Sequence, residues 1–317
     1  MNLDFDLLFI GHFAVDRNVV DGVAEIASGG GVYYGGIAAR RLAATVGVVT
    51  RLRREDFARL EDFREAGVEV FATAAAATSG IENTYRSADM ERRVCRPLAF
   101  AGPFTPADLP AVTAHIYAVT PIIAGEVDLA LLKLLAARTS GAGSVGDRPE
   151  QEDVPGASGS AWHVAPPCIA LDVQGFVRVR VGDELIFRPW ADMAEGLACV
   201  TYLKVDRAEA ELLTGENDLA IAARKLAAYG PAEIVLTQSS GVTVFADGQL
   251  FTAAFTPRSL AGRTGRGDTC FATYLARRLT CGPEEACRWA AAITTLKQER
   301  PGPWRGSLAE AERLLDY

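Results

Sequence analysis

Short, continuously apolar runs alternate along the chain with longer stretches in which apolar residues recur every third or fourth position. DLLFIG is followed by GGIAARRLAA, TVGVVTRL, REDFARLEDFREAG and VEVFAT, and further on come HIYAVT, GEVDLALLKLLAART, CIALDV, VTYLKV, AEIVLT, GVTVFADG and QLFTAAF. Apolar strands between amphipathic helices are the pattern of βαβ units, in which helices cover both faces of a parallel sheet. The first run has acidic neighbours where a secretory signal would have basic ones, and it is too short to span a bilayer. It predicts a buried first strand. From Gly267 the chain turns helical in DTCFATYLARRL, PEEACRWAAAITTLKQE and SLAEAERLLDY, the second opening on Pro283 as helices often do.

Two segments break this rhythm. Asp16 to Ser28 (DRNVVDGVAEIAS) and Ser79 to Phe100 (SGIENTYRSADMERRVCRPLAF) alternate polar and apolar residues between turns, which predicts short strands pairing into a separate small sheet, a lid. Thr139 to Pro167 is rich in Gly, Ser, Pro and acid with no period of either kind, and reads as a surface insertion. The expected architecture is one domain over residues 1–317: a three-layer α/β/α core carrying a β lid.

Composition narrows the function. Of 317 residues, 49% are apolar and 23% charged, enough for a large core, and a net charge of −8 disfavours a nucleic-acid surface. The six cysteines form no CxxC pair and the three histidines stand apart, so neither a zinc ribbon nor a histidine metal site is indicated. Free thiols in a reducing cytoplasm are expected, with no membrane partner.

The candidate chemistry lies in GRTGRGDT, Gly262 to Thr269, which departs from a phosphate-binding P-loop by one residue: Asp268 stands where that loop has its lysine. Gly265, Arg266 and Gly267 open a helix, and the unpaired N–H groups at a helix N-terminus bind anions without a lysine. A carboxylate in that first turn can take a proton from an attacking hydroxyl; it can equally serve as a helix cap.

TGRGDTCFATYLARRL resembles the C-terminal signature of the ribokinase, or pfkB, family of carbohydrate kinases. Other pieces follow in the family's order: GHFAVD, with Asp16 in the place of the acid that binds substrate hydroxyls; GGGVYYGGIAARRLAATVGVVTRL, with Gly29 and Gly30 at the double glycine; and KVDRAEAELLTG, with Asp206 and Glu209 in the places of a pair tied to magnesium and phosphate. By their spacing alone, Asp206 and Glu209 read equally well as partners of a helix N-terminus. The chain departs from the family at Gly262 and Arg263, which replace Asp-Thr, at Arg266, which replaces Ala, and at Tyr34, in the place of an Asn that touches the sugar. With LDVQGFVRV and RPGP, the pattern resembles the inositol kinase-like subgroup.

The resemblance implies a ribokinase-like fold and an ATP- and Mg²⁺-dependent kinase of a neutral polyol, myo-inositol first. Asp268 would be the base and Gly265, Arg266 and Gly267 the anion hole. Asp16, Gly29, Gly30, Gly31, Tyr34, Asn83, Tyr85 and Arg93 would hold the acceptor. Arg263, Thr264, Thr237, Val242 and Phe245 would hold the nucleotide, with adenine near Val242 to Phe245 and the helix Pro283 to Glu299. Asp206 and Glu209 would act on the metal, and a homodimer through the lid is one expected assembly. A nucleoside or ketose kinase and a non-catalytic polyol sensor are the alternatives.

Overall fold

The computed structural model describes residues 3–43, 45–86, 89–141 and 167–315. In chain order the first elements are β1 (Phe5–Ile10), β2 (Ala14–Val20), β3 (Val23–Gly29), α1 (Gly31–Arg40), β4 (Val46–Leu52), α2 (Glu61–Glu65), β5 (Glu69–Ala74), β6 (Gly80–Arg86), β7 (Asp89–Ala99), β8 (Ala114–Val119) and α3 (Leu129–Gly141). There follow β9 (Cys168–Asp172), α4 (Gln174–Val177), β10 (Arg178–Val181), β11 (Glu184–Phe187), α5 (Met193–Leu197), β12 (Tyr202–Asp206), α6 (Arg207–Thr214), α7 (Leu219–Ala227), β13 (Glu233–Gln238), β14 (Gly241–Ala246), β15 (Gln249–Ala254), α8 (Arg266–Arg278), α9 (Pro283–Gln298) and α10 (Leu308–Leu315).

Nine strands form the central sheet in the order β15-β14-β13-β12-β9-β8-β1-β4-β5, parallel from β13 to β5 and closed at one edge by the antiparallel β14 and β15. Side chains of a strand point alternately to its two faces, so an apolar run feeds both. Leu7 and Phe9 join the core under α1, α8 and α9, while Leu8 and Ile10 join the opposite core with α3, α6 and α7. Val235 and its neighbours Ile234 and Leu236 divide in the same way. This is a ribokinase-like α/β/α sandwich.

A second sheet, β3-β2-β6-β7, stands apart, with β2 and β6 parallel at its centre. It is built from the two segments whose polar alternation set them aside, with Asp16 and Asn83 on its central strands. The hairpin of β10 and β11, unread in the sequence, packs beside β7.

Two expectations need correction. REDFARLEDFREAG is not one helix: Arg54–Leu60 is a 3₁₀ turn that precedes α2, with buried Asp56 accepting from Thr78 Oγ1 at 2.6 Å. Thr139 to Gly141 belong to α3 and not to an aperiodic insertion; residues 142–166 of that expected segment lie outside the described residues.

Candidate active site

The C-terminal ends of the central strands, the N-termini of α1, α6 and α8, and the inner face of the small sheet enclose a cavity of about 510 Å³. Its lining includes Asp16, Gly30, Gly31, Tyr34 and Asn83 at one end, Arg263 to Asp268 in the middle, and Asp206 and Thr237 at the other. Residues up to 252 positions apart in sequence (Asp16 and Asp268) therefore meet in one space.

The middle is set by α8. Its N-cap, Gly265, has φ +82° and offers no side-chain cap; the Arg266 N–H donates to the Arg263 carbonyl at 3.1 Å, and the positive end of the helix dipole stands at the cavity. A β-carbon on Gly265 would sit 2.2 Å from Cγ of Tyr34, whose ring lies directly against the loop. Asp268 follows in the first turn and lines the cavity. Arg266 reaches Gln298 Oε1 at 3.5 Å.

At the lid end, Asp16 on β2 accepts from the Ile81 N–H on β6 at 2.8 Å, which fixes one carboxylate oxygen across the small sheet. Its other oxygen occupies the space where a Gly29 side chain would start, 2.3 Å from that β-carbon position. Gly29 is thus needed for the carboxylate and does not itself line the cavity. Asn83 Nδ2 donates to Asn18 Oδ1 at 3.2 Å, and Cys95 Sγ donates to Asn83 Oδ1 at 3.4 Å. Tyr85 and Thr264 lie hydroxyl to hydroxyl at 3.3 Å, with the Arg263 guanidinium 5.9 Å from the Tyr85 ring. Tyr85 therefore ties the small sheet to the α8 loop instead of lining the cavity. Arg93 pairs with Tyr85 in register on β7; its side chain lies outside the described residues.

At the third end, Asp206 and Glu209 form a reciprocal capping box on α6: Glu209 N donates to Asp206 Oδ1 at 2.8 Å, and Asp206 N to Glu209 Oε2 at 2.7 Å. Asp206 lines the cavity, whereas Glu209 is fully buried behind it with Oε1 unpartnered. Lys204, on the same strand end, was missed in the sequence. Its Nζ donates to Asp172 at 3.1 Å, lies 3.7 Å from Glu209, and stands 3.6 Å from where a Gly267 side chain would begin. Burial works against this ammonium, but Asp172, Glu209, Asp206 and Asp268 outweigh it and hold the pKa above its ordinary value. A permanent cation thus backs the first turn of α8. Burial in turn pushes the Glu209 carboxyl up, against the pull of Lys204.

Gln174, Arg178, Arg207, Gln238 and Ser239 also line the cavity and were not singled out from the sequence. The available signal was a charge inside an apolar run, Lys204 in VTYLKV and Arg178 in GFVRV. Val242 and Phe245 do not line the cavity. Val242 is wholly buried beneath α9, and the inner face of α9 is likewise spent on the core. Phe245 is half-buried against the opposite core, and among the lining residues at that end Ala208 is the sole apolar side chain beside Lys204, Arg207, Thr237, Gln238, Ser239 and Ser240. No cluster of three or more metal-ligating side chains occurs among the described residues, and no helix among them is long and apolar enough to cross a membrane.

The pfkB family carbohydrate kinase model matches residues 182–307. Among solved structures, a pyrophosphate-dependent kinase of the ribokinase family, complexed with a pyrophosphate analog and myo-inositol, is 35% identical, with 97% of this chain and 99% of that chain covered and a TM-score of 0.82. A pyrophosphate-dependent myo-inositol-1 kinase converted by two substitutions into a myo-inositol-3 kinase is 34% identical, with 98% of each chain covered and a TM-score of 0.81. Ribokinase from Arabidopsis thaliana, complexed with ribose and ATP, is similar in fold alone, at 18% identity, full coverage of both chains and a TM-score of 0.68. The comparison with curated proteins found no match.

Proposed function

The chain belongs to the ribokinase family of carbohydrate kinases and is a phosphotransferase acting on a hydroxyl acceptor; from that premise we propose that it phosphorylates myo-inositol with inorganic pyrophosphate as donor. One observation carries the reading: Asp268, at the uncapped N-terminus of α8, shares a single cavity with Asp16 and Asn83 of the small sheet on one side and with Lys204 and the Thr237–Ser240 turn on the other. Carboxylate, amide and glycine backbone suit a ring of neutral hydroxyls. The far end, cationic and hydroxyl-rich, suits phosphate oxygens.

Asp268 takes the proton of the acceptor hydroxyl as its oxygen bonds to phosphorus and the bond to the leaving phosphate breaks. Charge on the transferring group falls on the N–H donors of Gly265 and Gly267, on Lys204 and on the Arg266 guanidinium, the Arg266 N–H being held by the Arg263 carbonyl. Magnesium is implied by the family, and the side of the Asp206 carboxylate not spent on the capping box is a hard oxygen donor of the kind it takes, with Glu209 buried behind it holding the helix start. Bound there, the ion would neutralise donor phosphate oxygens.

Pyrophosphate is favoured over the ATP expected from the sequence on two grounds. Both relatives at 34–35% identity are pyrophosphate-dependent, and neither Val242 nor Phe245, the residues expected beside adenine, lines the cavity. The test is phosphate-transfer kinetics with pyrophosphate or ATP against myo-inositol, ribose, fructose, adenosine, cytidine and fructose 6-phosphate. The highest kcat/KM is expected for pyrophosphate with myo-inositol. Faster turnover with ATP would reverse the donor assignment, and a best rate on a nucleoside or the sugar phosphate would refute the acceptor.

A further inference from the structure

Lys297 is a wholly buried charged residue near the end of α9 that no step above uses; its side chain is 1% exposed. Nζ donates to the Gly262 carbonyl at 2.5 Å and lies 5.1 Å from the centroid of the Tyr34 ring, the same ring that Gly265 packs against. The helix end holds the loop elsewhere too, since Gly262 N donates to the Gln298 carbonyl at 2.7 Å. An ammonium is a costly way to fill an apolar slot, where methionine would pack without charge.

Of the charged groups on the elements around it, Asp268 and Arg266 open α8, Arg263 stands in the loop before α8, and Glu299 and Arg300 follow α9, while Arg277 and Arg278 lie at the far end of α8 and Arg40 at the far end of α1. Tyr34, from α1, is pushed well above its ordinary range by burial and stays uncharged. Burial lowers the Lys297 pKa to about 8, and Asp268 is the neighbour whose charge opposes that fall.

We propose that Lys297 is a positioning residue: through Gly262 it fixes the loop that aims the N-terminal donors of α8, and its positive charge favours the ionised form of Asp268. The inference rests on the reading of Asp268 as the base. Lys297→Met removes both charge and donor, and Lys297→Gln removes the charge while keeping an N–H for Gly262.

With the donor and acceptor that the wild type uses, kcat should fall by about 10–100-fold in Lys297→Met and by less in Lys297→Gln, with acceptor KM within about twofold. In both variants the acid limb of the kcat/KM profile should move to higher pH, because Asp268 has lost its positive neighbour. An unmoved acid limb would show Lys297 to be structural only, and so would a Lys297→Met kcat within about threefold of wild type.

A second readout needs neither turnover nor folding of the lysine variants. In ¹⁵N-lysine NMR titrations the Lys297 midpoint near 8 should fall in Asp268→Asn, since the carboxylate that raises it is gone. Equal midpoints would overturn the pairing. A shifted midpoint in a protein inactive on every acceptor would support the pairing and count against the kinase reading alone.

Discussion

Gly265 shows how much of the site a single backbone torsion holds. At φ +82° it turns the chain so that α8 starts without a cap, and its missing side chain admits the Tyr34 ring. Gly265→Ala should cost roughly 1–3 kcal/mol in backbone strain, with more from the clash at Tyr34. Urea unfolding should show the loss, and kcat should fall more than tenfold as the α8 donors shift by even about 1 Å. A variant with wild-type kcat would mean that the loop's exact path is irrelevant to turnover. This part of the site was legible because GRTGRGDT is local: one loop, one helix start, one acid. Lys204 and Lys297 were not, because each reaches the loop from a different element, and each is a single charged letter in a buried element where the sequence pattern predicts core.

At the scale of elements, the small sheet is joined to the core by crossings that meet at a buried polar knot. Ser79 Oγ, ahead of β6, lies 2.7 Å from His12 Nδ1, after β1, and accepts the Ala101 N–H, after β7, at 3.0 Å. Glu126 Oε2 accepts the His12 N–H at 3.1 Å, and Oε1 accepts from Ile122 and Ile123. Burial lowers the His12 pKa to about 3, so the ring is neutral, and raises the Glu126 carboxyl to about 7. A carboxyl whose folded pKa lies above its unfolded 4.5 contributes stability that is complete below pH 4.5 and is lost as pH rises through 7. Histidine works in the opposite sense, losing its contribution as pH falls from 6.5 toward 3. Glu126→Gln removes the first term alone. The stability advantage of wild type over this variant should therefore shrink by roughly 1–3 kcal/mol between pH 4.5 and 7, as read from denaturant unfolding at each pH. A constant difference would mean that Glu126 does not titrate in that window. The lid strands were readable from their polar alternation, but not the knot: His12, Ser79 and Glu126 are single polar letters beside apolar runs, and their meeting is tertiary.

Across the whole molecule, the order of the motifs along the chain was the legible part, because a parallel sheet with right-handed crossovers brings successive strand ends to one side. That rule takes Asp206, Thr237 and Asp268 to the same cavity, and the lid brings Asp16 and Asn83 over them. It does not say which face of a strand end is filled by core, which is why Val242 and Phe245 were expected at the donor and are instead packed away from it. Nor does it distinguish a capping box from a metal pair at Asp206 and Glu209, since both need two acids three residues apart. The central claim is that phosphoryl transfer takes place at the N-terminus of α8 with Asp268 as the base, and the most direct measurement is steady-state kinetics of Asp268→Asn beside donor binding by calorimetry. The account predicts a kcat lower by ~10²–10⁴ with donor affinity and cooperative unfolding nearly unchanged; a kcat within threefold of wild type would contradict it.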